Sequence, residues 1–318
     1  MKSIILSSLL LSALFVLPVH ADATGKELLA TGHVDEATQT LEQQVSRSPG
    51  DAEAYNLLCR SYFMMEEWDR GIAACEHARS LDPGKSLYHL WLGRAYGEKA
   101  ARAGFLSAAG LAKKVRISFE RAVQLDPKNS DARADLAEFY VEAPAIVGGG
   151  KEKAREQADA LLPLNPAMSH WVLAQIASKG KDAAGAEHEY RTAIEASHSG
   201  ARAWFEFALF LFRGNRLDEM EKALRTMESS PLDRPDALMD GASLLHRTGR
   251  DNGMAVRLLR RYLSSPVEAG PAFKAHDLLG QVLEKQGDRK AAAEQFRAAL
   301  ALSHSYARAR EDLQRVEH

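Results

Sequence analysis

Three glycines and a lysine, Gly148-Gly149-Gly150-Lys151, are the stretch of this sequence that most imitates a phosphate cradle. Such a cradle needs a strand ahead of the glycines and a Ser or Thr directly after the lysine. Glu152 follows instead and no strand pattern precedes, so the run reads as a turn. Eleven histidines (His33, His77, His89, His170, His188 and others) are scattered without clustering at metal-ligand spacing. Carboxylate pairs such as Glu66-Glu67 and Glu219 with Glu221 sit in segments whose high charge makes them solvated helix surface. No Gly-x-Ser-x-Gly elbow, kinase signature or dinucleotide-binding glycine pattern occurs. The reading is a protein with no catalytic residues, no metal and no cofactor, and so not an enzyme.

What remains is binding, and the elements that would position it. The 318 residues are 46% hydrophobic and 26% charged, with 22 Gly and 11 Pro, which excludes wholesale disorder. Lys plus Arg number 41 against 43 Asp plus Glu, so no basic excess points to nucleic acid or an anionic membrane surface.

Residues 1–21 differ from the rest. Lys2 is the lone charge before an apolar run from Ile4 to Val19, and Val19-His20-Ala21 closes it with small residues where signal peptidase cuts. The run is shorter than the ~20 residues of a membrane-spanning helix. Cleavage after Ala21 is therefore expected, releasing a periplasmic or secreted chain over residues 22–318. The first cysteine is Cys59, so no lipid anchor follows the cut.

A pattern recurs through the remainder: Leu-Gly/small-x-x-Tyr/Leu, a turn, Ala-x-x-x-Phe-x-x-Ala, then a terminator. The terminators are Pro49, Pro83, Pro127, Pro166, His198, Leu232, Pro266 and His304. Three of their spacings are 34 residues, and the others depart from 34 by +10, +5, −2 and +4. Residues 86–127 carry the pattern clearly, from Leu92-Gly93-Arg94-Ala95-Tyr96 through Phe119-Glu120-Arg121-Ala122 to Leu125-Asp126-Pro127. In period and residues the sequence resembles the tetratricopeptide repeat.

The resemblance implies an all-α, right-handed α-solenoid of about eight helix pairs in one domain, with residues 305–318 as a capping helix. Small residues (Gly93, Ala137, Ala174, Ala208, Gly280) let paired helices approach, and large ones (Tyr62, Tyr96, Tyr140, Phe119, Tyr190, Phe296) fill the space between units. Asp51 and Ser130 read as N-caps. The segment from Phe139 through Ala143-Pro144 and the glycines to Lys153-Ala154 is also similar to a subgroup of exported bacterial repeat proteins.

The +10 offset falls within Gly97 to Lys114 and the +5 within Ala143 to Gly150, both between the paired helices of successive units. Phe105, Leu106, Leu111, Ile146 and Val147 make these insertions apolar. They pack on each other, or they form a patch for a partner or ligand. Cys59 stands where other units carry the small residue, and Cys75 where others carry Phe119 or Phe296. The pair is either two buried apolar thiols or a disulfide across the hairpin.

Residues next to the small packing position point into the concave groove. Along the chain these are Asn56, Arg60 and Phe63, Leu90 and Arg94, Glu138, Trp171, Phe205, Leu209, Phe212, Arg213, His246 and Arg247. An extended peptide or partner helix would meet arginines at one end and aromatic anchors further on. The alternative is that the aromatics fill inter-unit packing and the arginines are solvated. Two functions follow: an envelope scaffold that binds protein or peptide through this groove, or a small-molecule binder that uses the insertion edge.

Overall fold

The computed structural model describes residues 23–265 and 270–318; for Phe105 and Leu106 the backbone alone is described. The expected leader, the terminator Pro266 and the side chains of Phe105 and Leu106 lie outside the described residues.

Seventeen α-helices follow one another, with no strand among the described residues. They pair as α1 (Gly25–Ala30) with α2 (Val34–Arg47), α3 (Ala52–Met64) with α4 (Trp68–Leu81), and α5 (Ser86–Arg102) with α6 (Phe105–Leu125). Next come α7 (Ser130–Glu142) with α8 (Lys151–Leu161), α9 (Pro166–Lys179) with α10 (Ala183–Ala196), and α11 (Ala201–Arg213) with α12 (Leu217–Ser229). The last pairs are α13 (Asp236–Thr248) with α14 (Asn252–Leu263) and α15 (Ala272–Lys285) with α16 (Arg289–Leu302), and α17 (Ala307–Glu317) covers the end. Each helix packs on its partner and on the neighbouring pair, which is the stacking of a helical solenoid.

The punctuation is chemical. Pro49, Pro83 and Pro127 stand two residues beyond the last residue of α2, α4 and α6, where the missing N–H and fixed φ prevent continuation. Pro166 does the opposite and opens α9 behind an Asn165 cap, a position whose N–H has no intrahelical partner anyway. Because Pro166 stands five residues beyond Leu161 and not two, the next terminator spacing is short; the junction itself has four residues, as after α2, α4 and α6. Asp51 caps α3 by accepting from the Ala54 N–H at 3.0 Å. In α7 the cap is Asn129, accepting from Ala132 at 3.0 Å, and the expected Ser130 is the first helical residue.

Small residues sit where close approach requires them. A Cβ on Gly93 would lie 2.4 Å from Phe119 Cε1, and one on Gly280 would lie 2.5 Å from Phe296 Cε1. Phe119 and Phe296 thus fill the space inside a pair, not between pairs as the sequence suggested. The tyrosines do bridge pairs. Tyr62 donates to Glu42 at 2.6 Å, Tyr96 to Glu76, and Tyr140 to Glu120 at 2.9 Å, each carboxylate coming from the second helix of the preceding pair. Burial, reinforced by the accepting carboxylate, pushes all three phenols well above the ordinary tyrosine range.

These contacts give opposite expectations for two helical glycines. Gly280→Ala should cost about 1–3 kcal/mol despite the better helix former, because the methyl meets a buried ring. Gly97→Ala, with open space around its Cβ, should gain up to about 1 kcal/mol. Urea denaturation of the two variants checks both signs.

The +10 offset is not a loop. Compared with α3 and α4, α5 is four residues longer and α6 seven, and the turn between them, Ala103-Gly104, is one shorter. The +5 offset is a true connection with a short 3₁₀ turn, Ala145–Val147. There Gly148 has φ +104° and a Cβ on Gly149 would meet the Ala143 carbonyl oxygen at 1.8 Å, so the glycines serve a tight turn. Lys153, not Lys151, reaches back to this segment, donating to the Gly148 carbonyl at 3.1 Å.

The array closes on itself. Gly32, at the turn of the first hairpin, stands so close to Ala272 that a Cβ there would lie 2.7 Å from the Ala272 Cβ. Lys274 pairs with Glu66 at 2.5 Å, and Asp35 accepts from the His304 N–H at 2.7 Å. Phe273 is fully buried in the same core cluster as Leu28, Leu29 and Val34. The extended concave surface expected from the sequence becomes a lumen.

Candidate binding lumen

The lumen is built by one face of the first helices. Counting from the small packing residue of each helix, the wall positions are six before, two before and one after, a spacing of four then three residues that keeps them on one side. They are Leu87, Trp91 and Arg94 on α5; Asp131, Asp135 and Glu138 on α7; and Met168 and Gln175 on α9. Next come Arg202, Glu206 and Leu209 on α11, then Asp236 and Asp240 on α13. Two cavities of about 560 and 1050 Å³ fill it, sharing Arg94, Asp131, Arg202, Asp233 and Arg234 in their walls.

The wall is acidic. Eight carboxylates and five guanidiniums line the two cavities, although the whole chain is only −2. Arg94 donates to Asp135 at 2.6 Å. Arg202 lies 2.5 Å from Glu206, 3.3 Å from Asp236 and 3.5 Å from Asp240, one cation among three carboxylates. Arg234 stands 3.4 Å from Asp236 and 3.7 Å from Asp131. Glu138 has no hydrogen bond or ion pair among the described residues. It is exposed, but to a lumen walled by protein. That desolvation, with Asp135 and Glu206 adding like charge, pushes its carboxyl up to about 7. Burial likewise raises Asp240 to about 6, against the pull of Arg202.

The smaller cavity is also lined by the apolar Met168, Trp171, Tyr190, Phe205 and Leu209. Carboxylates and aromatic rings around one cavity suit a ligand that is both charged and greasy.

A tetratricopeptide repeat model matches residues 28–96, and a second matches residues 273–306, the two ends of this array of helix pairs. The chain carries tetratricopeptide repeats. No curated protein matches the sequence. Among solved structures, yeast Tom70 is similar over 89% of this chain with a TM-score of 0.52 at 18% identity, and the match spans 58% of that protein. A thermophilic TPR protein of Thermus thermophilus is 19% identical over 59% of this chain and 95% of its own, with a TM-score of 0.49. At these identities the likeness is one of fold. TPR arrays serve in general as protein-interaction scaffolds.

On this TPR array the groove residues expected from the sequence divide. Arg60, Phe63, Leu90 and Arg94 line the larger cavity, and Arg94, Glu138, Trp171, Phe205, Leu209 and Arg213 the smaller. Arg60 and Arg94 flank Trp91, at 5.2 and 5.0 Å from its ring. Asn56 is instead a core residue, 2% exposed. Phe212, His246 and Arg247 line neither cavity, and Arg247 lies over Phe212 at 5.4 Å. The expectation of arginines awaiting a partner's carboxylates is corrected at Arg94, which Asp135 already neutralises.

Missed altogether were Asp131, Asp135, Glu206, Asp236 and Asp240. The signal was present, because each stands two or six positions before a small packing residue, but only neighbours of that residue and those one turn away were considered.

On the insertion edge the long α6 touches the 3₁₀ turn. Leu111 packs partly on the core, Val147 is buried and Ile146 is 88% exposed. Cys59 and Cys75 are disulfide-bonded, fully buried, with Cα atoms 5.2 Å apart.

Proposed function

We propose that this TPR chain is an exported, non-enzymatic scaffold of a bacterial cell envelope that holds a protein or peptide partner inside its lumen. One observation carries the reading: the first-helix faces from α3 to α13 converge on one continuous concavity large enough for an extended segment. Export is supported by the leader-like residues 1–21 and by a buried disulfide, a bond that persists in oxidising compartments. No helix among the described residues is long and apolar enough to cross a membrane.

A small-molecule reading draws on the smaller cavity, whose volume of about 560 Å³ is of drug-sized class. That site is the lumen and not the insertion edge.

A photo-crosslinking residue at Leu209, on the lumen wall, is expected to trap discrete protein adducts in the native envelope, whereas the same residue at the exposed Gln124 traps none. Equal adducts from both positions, or none from Leu209 while native mass spectrometry shows a retained small molecule, would overturn the scaffold reading.

A further inference from the structure

The charge of the lumen names the chemistry of its occupant. On α7 the whole wall face is acidic: Asp131, Asp135 and Glu138 stand four and three residues apart. Like charges at that spacing destabilise a helix, so the stripe works against the stability of the unit that carries it. The neighbouring walls do not balance it. Arg94 is taken by Asp135, Arg202 is shared by Glu206, Asp236 and Asp240, Arg234 stands by Asp131 and Asp236, and Arg213 makes no ion pair with Glu138, which leaves Glu138 without a cation in contact among the described residues.

Nor do the carboxylates form a metal site. Among the described residues no group of three His, Cys, Asp or Glu side chains is placed to hold an ion.

The second observation is the apolar part of the same lining. Met168, Trp171, Phe205 and Leu209 line the same cavity as Glu138. Phe205 is already used once in this way, with the Arg202 guanidinium 5.5 Å from its ring. An aromatic face and a carboxylate around one cavity both attract a cation, and the apolar surface accepts the methylene stem that carries it.

We propose that the lumen takes a cationic segment of its partner, a lysine or arginine side chain whose head reaches the Glu138 carboxylate and whose stem lies along the Trp171, Phe205 and Leu209 wall. The inference rests on the peptide-binding reading and sharpens it, because it excludes an acidic segment and a free C-terminal carboxylate as the element held at Glu138.

The test uses the mature chain and three fluorescein-labelled peptides of one length. The first carries lysines spaced by Leu and Ala, the second Gln and the third Glu at the lysine positions. Fluorescence anisotropy is expected to show the lysine peptide bound at least about tenfold more tightly than the glutamine peptide, with affinity falling as salt rises, and the glutamate peptide unbound. Glu138→Gln should weaken the lysine peptide about threefold to tenfold and leave the glutamine peptide unchanged. Because Glu138 makes no contact that holds the fold and only adds like charge to the stripe, the thermal melt of the variant should equal or slightly exceed that of the parent.

If glutamine and lysine peptides bind alike, or the Glu138→Gln variant holds the lysine peptide as well as the parent, the cation assignment falls while the scaffold reading stands. If free spermidine binds and no peptide does, the occupant is a solute amine and the peptide proposal is overturned. No binding by any of these probes would overturn both readings.

Discussion

Replacing Cys59 and Cys75 together by alanine is expected to lower the unfolding free energy by about 3 kcal/mol. The bond closes a loop whose ends are 16 residues apart, and opening it returns that chain entropy to the unfolded state. A further cost arises because both sulfurs are fully buried between α3 and α4, and two alanines leave a void there. The rest of the array suggests a specific repair. Gly280 and Phe296 are also 16 residues apart and fill the same place in the last pair, as Gly93 and Phe119 do in the third. The double variant Cys59→Gly with Cys75→Phe should therefore recover part of the loss under reducing conditions. Equilibrium urea denaturation of the parent with and without reductant, beside the two double variants, gives the comparison. If the Gly/Phe pair is no more stable than the Ala pair, α3 and α4 are held apart by something other than the common packing register.

That register explains what was readable in the sequence. A small residue at one position and a large one a fixed distance later are local demands of helix packing, so they surface as a period. The number of pairs, the hairpin turns and the facing of the two cysteines all follow from it. The ten extra residues in Gly97 to Lys114 were read as a loop because the period counts residues and not their conformation. The segment holds six alanines and several Lys and Arg residues, strong helix formers that extend α5 and α6 on both sides of a two-residue turn.

The lumen was legible in its elements and not in its shape. A wall of Asp131, Asp135 and Glu138 can be found by counting along α7. That Arg234 and Asp236, about a hundred residues later, complete the same lumen depends on rotation accumulated pair by pair, which no local pattern specifies. The meeting of Glu66 with Lys274 has the same origin.

Phe273 is where that closure is tested. Its ring is 1% exposed and meets Tyr306 edge-on at 4.9 Å, in the cluster that also contains Leu28, Leu29 and Val34. Phe273→Ala should cost about 3–5 kcal/mol, the usual range for truncating a buried aromatic. In a repeat array stability is a sum over units and their interfaces, so the loss should be confined to the elements that share the contact. Hydrogen exchange is expected to accelerate in α1, α2 and α15 to α17 while α7 to α12 keep their protection, and small-angle scattering should show a larger radius of gyration as the ring opens. Lys274→Ala, which removes the partly exposed pair with Glu66 and the ammonium 5.8 Å from the Phe273 ring but leaves that ring in place, should cost no more than about 1 kcal/mol and leave the ring of helices closed. If α1 and α2 keep their protection in the Phe273 variant, the first hairpin is held by its own unit, and the lumen is an open groove whose two ends merely lie near each other. The acidic wall would then face solvent along its length, and the cation at Glu138 would bind with the weakness and salt sensitivity of a surface pair.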